Sequence, residues 1–258
     1  ITVSLIAACA EQGIALITSD ARHMPSTLTL PFHTHHRTAA IARLQLDVGA
    51  PLKKRIWQAI VRTKINNQFA VLQNIGIGHI PPLPEMAARV RSGDPDNIEA
   101  HAARAYWQAI FDNFTRGNEA DLRNKALNYA YAVLRGCIAR ALTATGFLPA
   151  IGLHHNSMTN PFNLADDLIE PFRPLADLAV FNLTQSRDSI DDLTREDRQV
   201  LAGLPVNDAG MDGEIHSILH ASEIASQSLV RAYEVKEVTS LVLPACPVSP
   251  PALPGLRA

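Results

Sequence analysis

The chain has 258 residues, 47% hydrophobic and 19% charged, enough apolar material for a sizeable core, which excludes a disordered or fibrous protein. Aromatic residues supply only 5%, and the Ala- and Leu-rich remainder favours packed helices over a sandwich of strands. The net charge of −2 argues against a nucleic-acid partner only as an average: residues 1–150 carry 16 Lys and Arg against 10 Asp and Glu, and residues 151–258 carry 7 against 15, so one positive face for phosphates and one acidic region for cations are both available.

The chain begins at Ile1 rather than Met, and an upstream segment is expected to be missing. Val3 to Glu11 reads as a short helix, Ile14 to Thr18 as a strand and Thr27 to Leu30 as a second strand before Pro31. Two short strands cannot bury a face alone, so residues 1–31 are read as the remnant of a small β-rich N-terminal domain. The apolar run Leu5 to Ala10 is too short to cross a bilayer and has no basic leader before it. Cys9, Cys137 and Cys246 stand far apart, which disfavours a disulfide scaffold or a Cys-ligated zinc. A cytoplasmic protein with no membrane partner is the expectation.

From residue 32 to 243 the pattern is helical. Helices are predicted over Arg37 to Leu46, over Leu52 to Ile75 with Pro51 in the first turn, and over Glu85 to Arg91 after the Pro81-Pro82 break. Another runs from Ile98 to Phe114, capped by Asp96 or Asn97, and the next from Asp121 to Thr145. Asn163 is placed as the cap of a helix that Pro171 interrupts. Further helices cover Phe172 to Thr184, Thr194 to Ala202 and Glu214 to Tyr233. The Pro-rich stretch 244–258 has no packing period and is predicted to be a mobile tail. The fold class is mainly α: an all-helical domain after a β-rich remnant.

Three polar spots carry possible chemistry: Glu99 in a first helical turn, the His154-His155 pair in a loop, and the acidic run Asp166, Asp167 and Glu170. Asp167 and Glu170, three residues apart, share one side of a helix. Carboxylates with one imidazole suit a hard divalent ion such as Mg²⁺ or Mn²⁺ acting on a phosphodiester. Taken singly, each has a plainer explanation, since first-turn acids serve the helix dipole and loop histidines are commonly surface groups. Lys53, Lys54, Arg55, Arg62 and Lys64 surround Trp57 and form either a DNA-backbone track or a solvated helix face. His33, His35 and His36 have the composition of a metal tract, but without nearby carboxylates they read as surface residues.

Pro51-Leu-Lys-Lys-Arg-Ile-Trp-Gln, Ser92-Gly-Asp-Pro-Asp-Asn-Ile-Glu-Ala-His-Ala-Ala-Arg-Ala-Tyr-Trp107, Leu127-Asn-Tyr-Ala-Tyr-Ala-Val-Leu134, Gly152-Leu-His-His155 and Asp167-Leu-Ile-Glu-Pro-Phe-Arg-Pro174 stand in consistent order. Together, over about residues 1–245, they resemble the CRISPR-associated endonuclease/integrase of spacer acquisition, the Cas-one family, in its type II form. The resemblance implies a metal held by Glu99, His155 and Glu170, with His154 the other candidate for the histidine. It implies that Asp167 supports these ligands or binds a second metal, and that Arg173 orients a carboxylate or contacts DNA. It also implies a homodimer, a Cas-two partner, double-stranded DNA (a captured fragment and the CRISPR repeat) as substrate, and other type II adaptation proteins as possible associates. The competing reading is a non-catalytic DNA-binding scaffold, or an inactive fragment, in which the acids merely cap helices. The two differ in whether Glu99, His155 and Glu170 must meet in space.

Overall fold

The computed structural model describes residues 1–30, 36–188 and 191–247. His33 and His35, the boundary expected at 31/32 and the tail from 248 onward lie outside them. The chain opens with α1 (Val3–Glu11), capped by the Thr2 hydroxyl, which accepts from the Leu5 amide. The antiparallel pair β1 (Leu16–Ser19) and β2 (Pro25–Thr29) follows, with Leu16 opposite Thr29. The body is helical: α2 (Thr38–Asp47), α3 (Ala50–Asn74), α4 (Leu83–Arg89), α5 (Ile98–Ile110), α6 (Leu122–Ala144), α7 (Asn163–Leu168), α8 (Arg173–Thr184), α9 (Arg195–Ala202) and α10 (Ile218–Val235).

The two long helices organise the core. α3 packs against α4, α5 and α8, while α6 packs against α8, α9 and α10, so α8 joins the two halves. α3 buries Ile56, Ile60, Val61, Ile65, Val71 and Leu72 at three- and four-residue steps, which directs one continuous stripe inward. Proline in its first turn costs no hydrogen bond there, as the sequence suggests. Asp121 caps α6 by accepting from the Arg123 amide, and Thr194 with Asp197 forms a capping box on α9.

Several segments differ from the sequence expectations. Asn163 lies inside α7 and does not cap it, because its side chain accepts from the Ser157 amide and donates to the carbonyls of Ala150, Ser157 and Asn160 in the preceding loop. The helix expected through Glu170 ends at Leu168, and the one expected to Phe114 ends at Ile110. Neither Asp96 nor Asn97 caps α5. Asn97 is left-handed (φ 51°), and the Asp94 carboxylate accepts from the amides of Ile98 and Glu99 instead. The helix expected from Glu214 starts only at Ile218, because β3 (Asp208–Met211) and β4 (Glu214–Ser217) form a hairpin. Its two-residue turn, Asp212-Gly213, has both φ angles positive, a conformation that Asp-Gly favours. Finally, residues 244–247 of the expected mobile tail are tied down. The buried Asn67 amide donates to the carbonyls of Pro171 and Pro244, both at 2.8 Å, and its carbonyl accepts from the Cys246 amide at 3.0 Å. Gly210 and Ala245 also pair through their backbones.

A second buried polar group lies on α8. The Asp177 carboxylate accepts from the Tyr106 hydroxyl at 3.1 Å and from the Tyr131 hydroxyl at 2.5 Å. Burial pushes its carboxyl up to about 7, against the two hydroxyls and Arg173, which favour the anion.

Replacing Asn67 with Ala strands two carbonyls and an amide in the interior, and is expected to cost about 2–4 kcal/mol in a denaturant melt. The folded state also holds the Asp177 proton more tightly than the unfolded chain, so this group's contribution falls as pH rises from about 4 through 7. The melting temperature of Asp177→Asn relative to wild type should therefore climb over that window, by the equivalent of on the order of 1–3 kcal/mol. A constant difference between the two proteins would refute the assignment.

Candidate active site

Four elements bring ionisable side chains together beside the middle of α3. Lys64 lies on the inward stripe of α3 and is 8% exposed. Glu99 projects from the first turn of α5; because Asp94 already accepts from that turn's amides, the Glu99 carboxylate is not needed as a cap. Glu170 opens a 3-10 turn (Glu170–Phe172) between α7 and α8, where Pro171 occupies a first-turn position. His155 lies in the loop between α6 and α7.

The Lys64 ammonium pairs with Glu99 Oε1 and stands 2.5 Å from Glu170 Oε2. Arg173 Nε lies 2.9 Å from Glu170 Oε1, with its guanidinium 4.6 Å from the centre of the Tyr131 ring. These contacts to Glu170 are close and ionic but poorly angled: Oε2 is buried and makes no well-directed hydrogen bond. Burial alone would raise the Glu170 carboxyl, but attraction to Lys64 and Arg173 outweighs it and holds the group below the usual carboxylate range. Burial likewise disfavours the Lys64 ammonium, and the charges of Glu170 and Glu99 more than compensate.

The histidine loop is built on Asp167, which is fully buried. Its Oδ2 accepts from the amides of Leu153 (2.6 Å) and His154 (3.1 Å), and its Oδ1 from the amide of His155 (3.0 Å). His155 Nδ1 lies 2.7 Å from the same Oδ1. That hydrogen bond, ahead of the opposing effect of burial, raises the imidazole above its ordinary value. A side chain at position 152 would collide with the His155 carbonyl and the Asp167 carboxylate, at 2.2 and 2.8 Å from its Cβ, so the loop can wrap this closely only around Gly152. Trp57 stacks on His154, with ring centres 4.2 Å apart and planes 1° from parallel, and meets His155 edge-on at 5.9 Å. His154 is thus engaged by the indole, whereas His155 uses Nδ1 on Asp167 and keeps Nε2 as the nitrogen available to a ligand.

Among the described residues no group of three or more His, Cys, Asp or Glu side chains is arranged to hold a metal ion as it stands. The donor set nevertheless fits a hard divalent ion. Two carboxylates from distant segments share one cation, one of their oxygens has no well-directed partner, and the neighbouring imidazole is braced by a carboxylate. Asp166 is turned elsewhere, onto Arg135 and Asn160, both at 2.6 Å.

The expected basic track divides. Lys54, Arg55 and Arg62 are exposed and Lys53 is half-buried, but Arg62 donates to the carbonyls of Ala88 (3.2 Å) and Val90 (2.9 Å) at the end of α4. Lys64 does not belong to that outer face, since it is buried between two carboxylates. Arg173 has the geometry of a group that orients Glu170. The sequence reading missed the engagement of Lys64, the cap by Asp94 and the Trp57–His154 stack. Lys64 had a readable signal, because it falls on the apolar stripe between Val61 and Ile65.

Comparison with known proteins agrees with this architecture. The family model for CRISPR associated protein Cas1 matches residues 1–210. The CRISPR-associated endonuclease Cas1 of Neisseria meningitidis serogroup C (strain 8013) is 51% identical over 185 residues, covering 71% of this chain and 60% of that protein. The chain therefore spans less than two thirds of that relative's length. Among solved structures, a casposase bound to integration product has a TM-score of 0.74 at 19% identity, over 92% of this chain and 76% of that one. A chain of a Cas6-RT-Cas1–Cas2 complex has a TM-score of 0.69 at 18% identity, over 93% of this chain and 30% of its own length. Identities this low establish a shared mainly helical fold. The family match over most of the length, together with half-identity to a curated relative, places this chain in the Cas1 family of CRISPR-associated proteins.

Proposed function

We propose that this chain is the catalytic part of a metal-dependent DNA endonuclease/integrase that inserts captured DNA into a CRISPR array by transesterification. The observation that carries the reading is that Glu99 and Glu170, far apart in sequence, converge on a single cation beside His155. Glu99, Glu170 and His155 would hold Mg²⁺ or Mn²⁺, which activates an attacking oxygen and offsets charge on the phosphodiester. Asp167 fixes the His155 ring through Nδ1, and Arg173 fixes the Glu170 carboxylate. In strand joining, a 3′-hydroxyl forms a new P–O bond as the existing P–O3′ bond breaks. The number of phosphodiesters is unchanged, so no external energy source is needed. Water in place of the hydroxyl gives nuclease activity.

Lys53, Lys54 and Arg55 extend the basic face of α3 and would grip duplex phosphates without reading bases. The endonuclease relative supports a nuclease, and the two structural neighbours, a casposase bound to integration product and a Cas6-RT-Cas1–Cas2 complex, support an integration reaction and a Cas2 partner. On this reading the native assembly is a homodimer, with two such dimers bridged by Cas2 and other type II adaptation proteins associated. No helix among the described residues is long and apolar enough to cross a membrane, and a cytoplasmic location completes the proposal. The scaffold alternative draws on one observation, that Lys64 already pairs with both carboxylates.

In a strand-transfer assay on a repeat-bearing plasmid with Cas2 and Mn²⁺, Glu170→Gln should lower joining and cleavage by at least about 100-fold while duplex binding persists. Because Glu170 is buried, Glu99→Gln and His155→Ala serve as parallel tests at more accessible positions. Wild-type turnover in all three, or activity that survives EDTA, would overturn the metal-site reading, and duplex binding by a wild-type protein that neither joins nor cleaves would favour the scaffold. Separately, Lys54→Glu/Arg55→Glu should weaken duplex binding alike for unrelated sequences and flatten the plot of log affinity against log salt by about two.

A further inference from the structure

We propose that Lys64 is the resident counter-ion of the site, and that a divalent cation enters by displacing its ammonium from between Glu99 and Glu170. The inference rests on the metal-binding reading above, and concerns a residue to which that reading gives no role in the reaction. Lys64 is the shared partner of both carboxylates, and it reaches them from the buried stripe of a helix rather than from the surface. A buried carboxylate such as Glu170, with the half-buried Glu99 beside it, would be costly without a cation in a medium of low dielectric, so the fold supplies a positive charge of its own.

The charge balance explains why the ammonium and the ion compete. Lys64 and Arg173 together balance Glu99 and Glu170. A divalent ion added with Lys64 still in place would leave the cluster with two uncompensated positive charges. Withdrawing the ammonium removes one of those charges and frees Glu170 Oε2, the oxygen that lacks a well-directed hydrogen bond. Arg173 holds the other oxygen, so the carboxylate stays oriented while its partner changes. The cluster is not sealed from solvent, since the Glu99 and His155 side chains are 27% and 43% exposed. A lysine chain is flexible enough for such a move, whereas a guanidinium is a rigid planar fork.

The test uses Mn²⁺ as probe. Calorimetric titration should show Lys64→Met binding Mn²⁺ at least about tenfold more tightly than wild type, and Lys64→Arg binding no more tightly than wild type. In EDTA, Lys64→Met should melt below wild type and gain more from saturating Mn²⁺. A measurement on the wild-type protein covers the case in which Lys64→Met does not fold. Amine-reactive labelling of Lys64, followed by mass spectrometry, should be slow in EDTA and at least several-fold faster with saturating Mn²⁺. Wild-type binding of Mn²⁺ with unchanged Lys64 labelling, or with equal or weaker binding by Lys64→Met, overturns the displacement alone. Absence of Mn²⁺ binding to both proteins overturns the metal-binding reading and the displacement with it.

Discussion

A carboxylate withdrawn from water must find positive charge, and Glu170 finds it on both sides. Lys64 comes from α3, Arg173 from the first turn of α8, and Glu99 closes the cluster from α5. The ionic contacts thereby join three helices whose apolar faces already pack together. Removing Lys64 would leave the buried Glu170 to Arg173 alone and Glu99 without its partner, which is more costly than losing an exposed salt bridge. The geometry of α3, α5 and α8 around this end of the core is thus specified by charge as well as by shape.

Behind the cluster the polar groups form successive layers. Asp167 spends both oxygens on the backbone and ring of the histidine loop, which gives the imidazole a defined orientation without a helix or strand beneath it. Asn67 joins the turn after Glu170 to the end of the described chain through Pro171, Pro244 and Cys246. Asp177 and its two tyrosines lie under Arg173, whose guanidinium rests on one of those rings. Each polar group in these layers is satisfied by a neighbour from another segment, as a buried site with a fixed shape requires.

Much of the fold was legible because local rules and tertiary packing agree along most of the chain. The spacing of apolar residues in α3, the proline in its first turn and the proline breaks all act over a few residues. The hairpin ahead of α10 was missed although Asp212-Gly213 carried its turn signal; the helical period downstream was extended backwards over it. Asn97 was read as a cap from its residue type, and its left-handed backbone gave that task to Asp94. Glu99, His155 and Glu170 were noticed as residue types and through a resemblance. Their meeting was not legible from spacing, because it depends on how separate helices pack. Lys64 illustrates the limit: counted among exposed basic residues, it belongs by period to the interior.

The coplanar contact between the Trp57 indole and the His154 ring has an optical consequence. The chain has two tryptophans, and the other, Trp107, lies in a separate aromatic group with Tyr106, Phe111 and Phe114. Emission from the first indole is therefore sensitive to the charge and tilt of an imidazole one residue from the candidate ligand, while the second stands apart as an internal reference. The protein carries its own fluorophore for watching the histidine segment shift in real time, with no dye attached.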